Sequence, residues 1–384
     1  MKRIARILCV VIAVAMLFTL ASCGKASYTA NNTEFVIGVS GPLTGPAAVY
    51  GVAVQNSAQM AVDEINAAGG LNGVNFKFIA TDDTHDATKV STNYSSMLEQ
   101  GMQVSLGTVT TAPGLEYANL SVEDNVFFIT PSASGDDIPK NDNGFQMCFA
   151  DGNQGKVAAD YVNGLGLNKI GIFYKSDDAY SNGIFEQFKD NLDKSIETVE
   201  TVFTDANATD FSTQISSLKD CKFIFMPIYY TPAAIFMTQA KDQIAADAVY
   251  YGCDGFDGLT SEFDITTIKQ EVTMLSHFDS NATEGAAADF VKKYTEKYGA
   301  DTLNQFGASA YDCVYAIYNA MKAAIDAGET IDVTISASDL CEILKAQFTG
   351  DFSYSGVTGE NIKWQSNGYV EKGAVKYVLK EATK

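Results

Sequence analysis

From Glu34 onward, short apolar runs alternate with longer amphipathic ones. Phe35-Val36-Ile37-Gly38-Val39 predicts a first strand, and Val74, Phe76 and Phe78 alternate as a second. Val54, Ala58, Ala61, Val62 and Ile65 fall on one face of the intervening helix, which closes at Gly69-Gly70. Val104-Ser105-Leu106-Gly107 and Val126-Phe127-Phe128-Ile129-Thr130 predict two buried strands, each running into hydroxyl side chains and a proline. Proline supplies no ladder donor, so the second of these stops near Thr130 and leads to the loop Pro131-Ser132-Ala133-Ser134-Gly135.

A second set then begins. Asp151 to Gly164 reads as a helix, Lys169 to Tyr174 as a strand, and a helix opens from about Ser181. Thr198–Phe203, Phe223–Met226, Val249–Gly252 and Val272–Leu275 predict further strands. Two long helices follow, Thr283–Tyr298 and about Gln305–Ala327, ending at Gly299 and Gly328. They predict a return of the chain to the first set. Ile362-Lys363-Trp364 and Ala374–Leu379, around Asn367-Gly368, read as a closing hairpin. Strands alternating with helices imply α/β architecture with mostly parallel sheets covered on both faces.

The first residues do not belong to this pattern. Lys2, Arg3 and Arg6 precede an apolar run from Ile7 to Leu20, the arrangement of a secretion signal and too short for an ordinary spanning helix. Leu20-Ala21-Ser22-Cys23-Gly24 resembles the bacterial lipoprotein processing site, which implies a signal over residues 1–22 and lipidation at Cys23. Residues 23–33 then form a polar tether from the membrane to the first strand. About 360 residues remain, too many for one core and natural for two lobes.

Beyond Arg6 the chain has no arginine, 23 lysines (26 basic residues less Lys2, Arg3 and Arg6) and 47 acidic residues, a formal charge of −24. That surface repels nucleic acid and anionic lipid. With no guanidinium fork available, an anionic ligand group must be held by hydroxyls and backbone N–H groups. Cys148, Cys221, Cys253, Cys313 and Cys341 are widely spaced and read as small buried apolar residues. His85 and His277 stand far apart without ligand-spaced partners, which argues against a metal site or a histidine-based triad. The loop after the first strand, Gly38-Val39-Ser40-Gly41-Pro42-Leu43-Thr44-Gly45, misses the Gly-x-Gly-x-x-Gly spacing and carries proline where amides would cradle phosphate. Catalysis is not expected.

Candidate site residues gather at strand ends, where open α/β sheets bind ligands: Tyr50, Thr110, Thr111, Ser132, Ser134, Tyr180, Tyr230 and Asp254. Six of the seven prolines border the same loops. Hydroxyls and free amides suit a carboxylate, a lone acid such as Asp254 suits an ammonium, and tyrosines supply flat walls with a polar rim. Together they describe a pocket for a zwitterion. Each residue alone has an ordinary alternative: a helix cap for the hydroxyls, a turn for Asp254-Gly255, packing for the tyrosines.

The chain from Glu34 to about Lys380 resembles the leucine/isoleucine/valine-binding protein family, the type I solute-binding proteins of branched-chain amino acid ABC importers. The matching motifs, in order, are Ile37-Gly38-Val39 with Gly41-Pro42-Leu43-Thr44-Gly45, Tyr50-Gly51, Ala61-Val62-Asp63-Glu64-Ile65-Asn66 with Gly69-Gly70, Asp82-Asp83, Ile129-Thr130-Pro131-Ser132 and Tyr251-Gly252. The resemblance implies a two-lobed periplasmic-binding-protein fold of type I with three crossovers. Residues 34–148 with about 277–365 would form lobe 1, and 149–276 with about 366–384 lobe 2. It implies an amino-acid ligand captured by hinge closure, permease and ATPase partners, no cofactor or metal, and a monomer. The carboxylate-binding hydroxyl falls on Thr111, neighbouring contacts on Ser132 and Ser134, and the ammonium-binding acid on Asp254. Aromatic contacts fall on Tyr50, Tyr180 and Tyr230, while Val109 and Thr110 line the side-chain end. Asp254 is shorter than the glutamate of the best-known aliphatic binders. The family's small disulfide would join the positions of His85 and Thr110, so that loop must be held differently. An amide, urea, nucleoside or aromatic acid as ligand, or a sensor role, stays open.

Overall fold

The structure, a computed structural model, describes residues 32–370 and 372–383. The leader, Cys23 and the tether up to residue 31 lie outside the described residues. The first half is built from β1 (Phe35–Gly41), α1 (Ala48–Ala67), β2 (Phe76–Asp82), α2 (Val90–Glu99), β3 (Val104–Ser105), α3 (Thr111–Asp124), β4 (Phe128–Thr130) and β5 (Gly144–Gln146). Its five strands are all parallel, in the order β2-β1-β3-β4-β5. Every residue of β1, β3, β4 and β5 is buried, which is why these strands are continuous apolar runs rather than alternating ones.

The second half comprises α4 (Asp151–Asn163), β6 (Lys169–Lys175), α5 (Ala179–Asn191), β7 (Glu197–Phe203), α6 (Ser212–Leu218), β8 (Phe223–Met226), α7 (Tyr230–Ala240), β9 (Val249–Gly252), α8 (Leu259–Glu262) and β10 (Glu271–Ser276). The chain then returns through α9 (Gly285–Tyr298), α10 (Gln305–Asp326) and α11 (Ala337–Phe348) before closing in β11 (Val375–Lys380). α10 packs along α1, and α11 against α10 and β3, so this helical group lies on the first sheet. α11 has no counterpart in the sequence reading. The second sheet has the order β11-β10-β9-β8-β6-β7, parallel except for β11.

The closing hairpin is corrected. Trp364 pairs only locally with Val370 across the Asn367-Gly368 turn, where Gly368 adopts φ +82. β11 instead pairs antiparallel with β10, about a hundred residues earlier. The turn segment stays on the edge of the first sheet: Trp364 Nε1 donates to the Gln146 carbonyl at 2.8 Å, and the Gln146 N–H donates to the Gly368 carbonyl at 3.0 Å. The last crossing between sheets therefore falls after Val370.

The five cysteines of the described residues are free and buried, the place expected of small apolar side chains. No helix among the described residues is long and apolar enough to cross a membrane. One glycine sets how α1 meets the loop after β1. A Cβ on Gly51 would lie 2.1 Å from the Pro42 carbonyl oxygen, a backbone atom with no room to yield. Gly51→Ala is expected to lower stability by about 2 kcal/mol or more; a denaturant titration matching wild type would contradict this packing.

Candidate functional site

The carboxyl ends of β3, β4, β8 and β9 lead into segments that line a shared cleft. There, Tyr50, Val109, Thr111, Ser132, Ser134 and Phe306 from the first half meet Tyr180, Tyr229, Asp254 and Gly255 from the second, around a small, nearly filled cavity. Thr111 opens α3, and its N–H faces the Tyr229 hydroxyl across the cleft. No side chain caps α3, so its positive end is directed at the cavity. The loop carrying Ser132 and Ser134 is pinned from below by Thr130 Oγ1, which accepts the Ala133 N–H at 2.9 Å and the Ser132 N–H at 3.3 Å. Hydroxyls and a helix N-terminus thus make one pole.

The opposite pole is Asp254, buried at the end of β9. Tyr180 donates to its Oδ1 at 2.7 Å and in turn accepts the Gly255 N–H at 2.9 Å. Burial pushes the Asp254 carboxyl up to about 6, against hydrogen bonds from Tyr180, Gln154 and the Gly255 N–H that favour its charged form. An ammonium beside it would restore the charge. Between the poles, Tyr180 and Tyr229 stack at 4.5 Å between centroids, and Tyr50 meets Phe306 edge-on at 4.8 Å. Tyr50 also donates to the Gly255 carbonyl at 2.5 Å, one of the hydrogen bonds that span the cleft.

A family model, described as periplasmic binding protein, matches residues 34–374. The chain belongs to the periplasmic binding protein family. Among curated relatives of this periplasmic binding protein is the Leu/Ile/Val-binding protein BraC3 of Rhizobium johnstonii, 29% identical over 319 residues, covering 80% of this chain and 84% of the relative. Among solved structures, the branched-chain amino acid transporter substrate-binding protein LivJ of Streptococcus pneumoniae, in complex with isoleucine, superposes with TM-score 0.74 and 25% identity, covering 90% of this chain and all of that one. The leucine-binding protein LivK of Thermotoga maritima gives TM-score 0.77 at 21% identity, over 91% and 96% of the two chains, a likeness of fold.

Within this periplasmic binding protein, seven of the residues singled out from sequence line the cavity: Tyr50, Val109, Thr111, Ser132, Ser134, Tyr180 and Asp254. Two do not. Tyr230 is the first helical residue of α7 and turns away from the cavity; its ring packs edge-on behind Tyr50 at 5.0 Å, and its hydroxyl accepts the Val49 N–H at 3.4 Å. Tyr229, the extended residue just before the helix (φ −72, ψ 163), takes the wall position instead. Thr110 faces away too, its Oγ1 2.9 Å from His85 Nδ1. That hydrogen bond joins the two positions where the family resemblance places a disulfide, and it is how this chain holds the loop. The His85 ring also meets Tyr229 edge-on at 5.1 Å, bridging the cleft mouth.

Three residues escape the sequence reading. Phe306 comes from α10, far along the chain, and only the return of that helix brings it in. Tyr229 is hidden beside Tyr230 by uncertainty over where the helix begins. Asp151, at the first position of α4, looks like an acid placed to complement a helix dipole, yet it is 1% exposed and Thr111 Oγ1 lies 3.5 Å from its Oδ2.

Proposed function

We propose that this periplasmic binding protein captures an α-amino acid with an apolar side chain between its lobes and presents it to the permease and ATPase of an ABC importer. The observation that carries this reading is the polarity of the cavity between the two halves. A pole of hydroxyls and a helix N-terminus on one side faces a buried acid, Asp254, on the other, with aromatic walls between. A zwitterion fits both ends without any guanidinium. Relatives whose names record leucine, isoleucine and valine binding favour an aliphatic side chain, which Val109 and Phe306 would receive.

Capture proceeds by closure: ligand contacts from both lobes stabilise the closed arrangement, and the importer reads that state. The protein works outside the cytoplasm, tethered through a lipid on Cys23 and acting as a monomer; no covalent chemistry is involved. A thermal-shift screen of the twenty amino acids on the chain without its leader tests the reading. At about a hundredfold excess over Kd, a bound aliphatic amino acid adds about 2.7 kcal/mol to native stability and should raise Tm by about 3–4 °C. No shift with any of the twenty would refute it.

A further inference from the structure

Capture as described leaves one buried group without a role. Asp151 follows directly on the first crossing between the sheets, and its carboxylate meets a hydroxyl of one pole directly and reaches the backbone of the other through Gln154. Thr111 Oγ1 lies 3.5 Å from its Oδ2, and its own N–H donates to the Ser134 carbonyl at 2.8 Å. Gln154 Nε2 donates to its Oδ1 at 3.4 Å, while Gln154 Oε1 accepts the Asp254 N–H at 3.0 Å. Asp151 and Gln154 together therefore link the Thr111 hydroxyl of the first lobe to the Asp254 backbone of the second.

We propose that Asp151 is a positioning residue that aligns the two poles as the lobes close, and that ligand capture places a proton on its carboxylate. The inference rests on the amino-acid reading above. A ligand carboxylate received by Thr111 and Ser134 arrives beside a carboxylate that already shares those donors. Two buried carboxylates in such a site cannot both stay ionised. The groups acting on Asp151 offer no compensating cation: they are Asp254 beyond β9, Asp136 in the loop after β4 and Asp178 before α5, with the Ser134 hydroxyl. The thiols of Cys148 and Cys253 and the phenols of Tyr180 and Tyr229 also face it. Burial, followed by the Asp254 charge, holds the Asp151 carboxyl well above the usual carboxylate range.

Where the lobes part and water reaches the same carboxyl, the penalty of burial that raises it is relieved. A group raised in the closed complex favours that complex at low pH and withdraws the benefit as pH rises. Capture therefore takes up to about one proton, and affinity falls by as much as about tenfold per pH unit. Asp254 acts in the opposite sense, because an ammonium keeps it ionised, but its release of a proton is confined to below about pH 6. At neutral pH the uptake belongs to Asp151.

Calorimetry of the wild-type protein with the amino acid found by thermal shift, in buffers of different ionisation enthalpy, reads this directly. The expected result at about pH 7 is uptake approaching one proton per ligand. D151N, whose amide keeps the contacts but cannot titrate, should bind with no proton exchanged and an affinity flat between about pH 6.5 and pH 8. Wild-type binding without proton uptake overturns the inference and leaves the ligand reading intact. So does D151N retaining the wild-type uptake. Failure of every amino acid to bind the wild type takes down both. The buffer series needs no variant, so a poorly folding D151N does not remove the test.

Discussion

Asp254→Ala weakens amino-acid binding by at least about tenfold. The carboxylate is buried, is held by Tyr180 at 2.7 Å, and is the acid on the cavity wall. An ammonium brought into the closed cleft without it would lose its hydration and gain no charged partner. A charge-assisted hydrogen bond is worth about 1.5–3 kcal/mol, and an unpaired buried charge costs more. The loss should appear in Kd measured by calorimetry, while melting in the absence of ligand stays close to wild type. That second expectation follows from the local chemistry: burial pushes the Asp254 carboxyl up to about 6, so its ionised form costs the ligand-free protein stability rather than adding to it. Asp254→Asn should lose affinity as well, since an amide receives the ammonium without a charge. An unchanged dissociation constant in both variants would remove Asp254 from the amine pole.

Asp312→Ala should be the most damaging single change to stability away from the cleft. Asp312 lies fully buried on α10, and four donors converge on it. Tyr354 and the Val357 N–H each reach Oδ1 at 2.8 Å; the Thr358 N–H and hydroxyl reach Oδ2 at 2.7 and 2.6 Å. Lys372, on the last crossing between the sheets, donates to the same Thr358 hydroxyl at 2.7 Å. Removing the carboxylate strands two backbone N–H groups, one buried and one part-buried, and unties the segment that leads to β11. At about 1–3 kcal/mol for each stranded donor, the cost is at least about 3 kcal/mol. Urea denaturation with a loss below about 1 kcal/mol would show that the network rearranges around the gap.

Much of the architecture is readable in the chain because fully buried parallel strands leave an unambiguous trace. Phe35–Val39, Phe223–Met226 and Val249–Gly252 are short runs dominated by β-branched and aromatic residues, and each lies inside an observed strand. Once the strands are placed, their carboxyl ends locate Thr111, Ser132 and Asp254 without further information. What stays hidden is whatever depends on distant pairing. Asn367-Gly368 carries a true turn signal, but the partner of Val375–Lys380 is β10, a choice made by the edge left open in the second sheet. The stripe Leu340, Cys341, Leu344 and Phe348 of α11 is short and mixed with polar residues, so it reads weakly until it meets the first sheet.

Side-chain direction is the other gap. Tyr229 and Tyr230 differ only in which side of a helix start they occupy, and that single step sends one ring into the cavity and the other behind Tyr50. Thr110 and Thr111 repeat the lesson at the start of α3, where one hydroxyl meets His85 and the other the cleft. Asp151 is disguised by a helix-start position that an ordinary dipole-complementing acid also favours.

The central claim is that two opposite poles grip the two charged ends of one molecule. The most direct measurement is calorimetry of the wild-type protein with three matched ligands: isoleucine, its amide and the corresponding acid without the amine. Isoleucine, or the aliphatic amino acid that replaces it in the screen, should bind, and each analogue should lose at least about tenfold, since each leaves one pole unanswered. If either analogue binds as tightly as the amino acid, the pole it lacks is not part of the site.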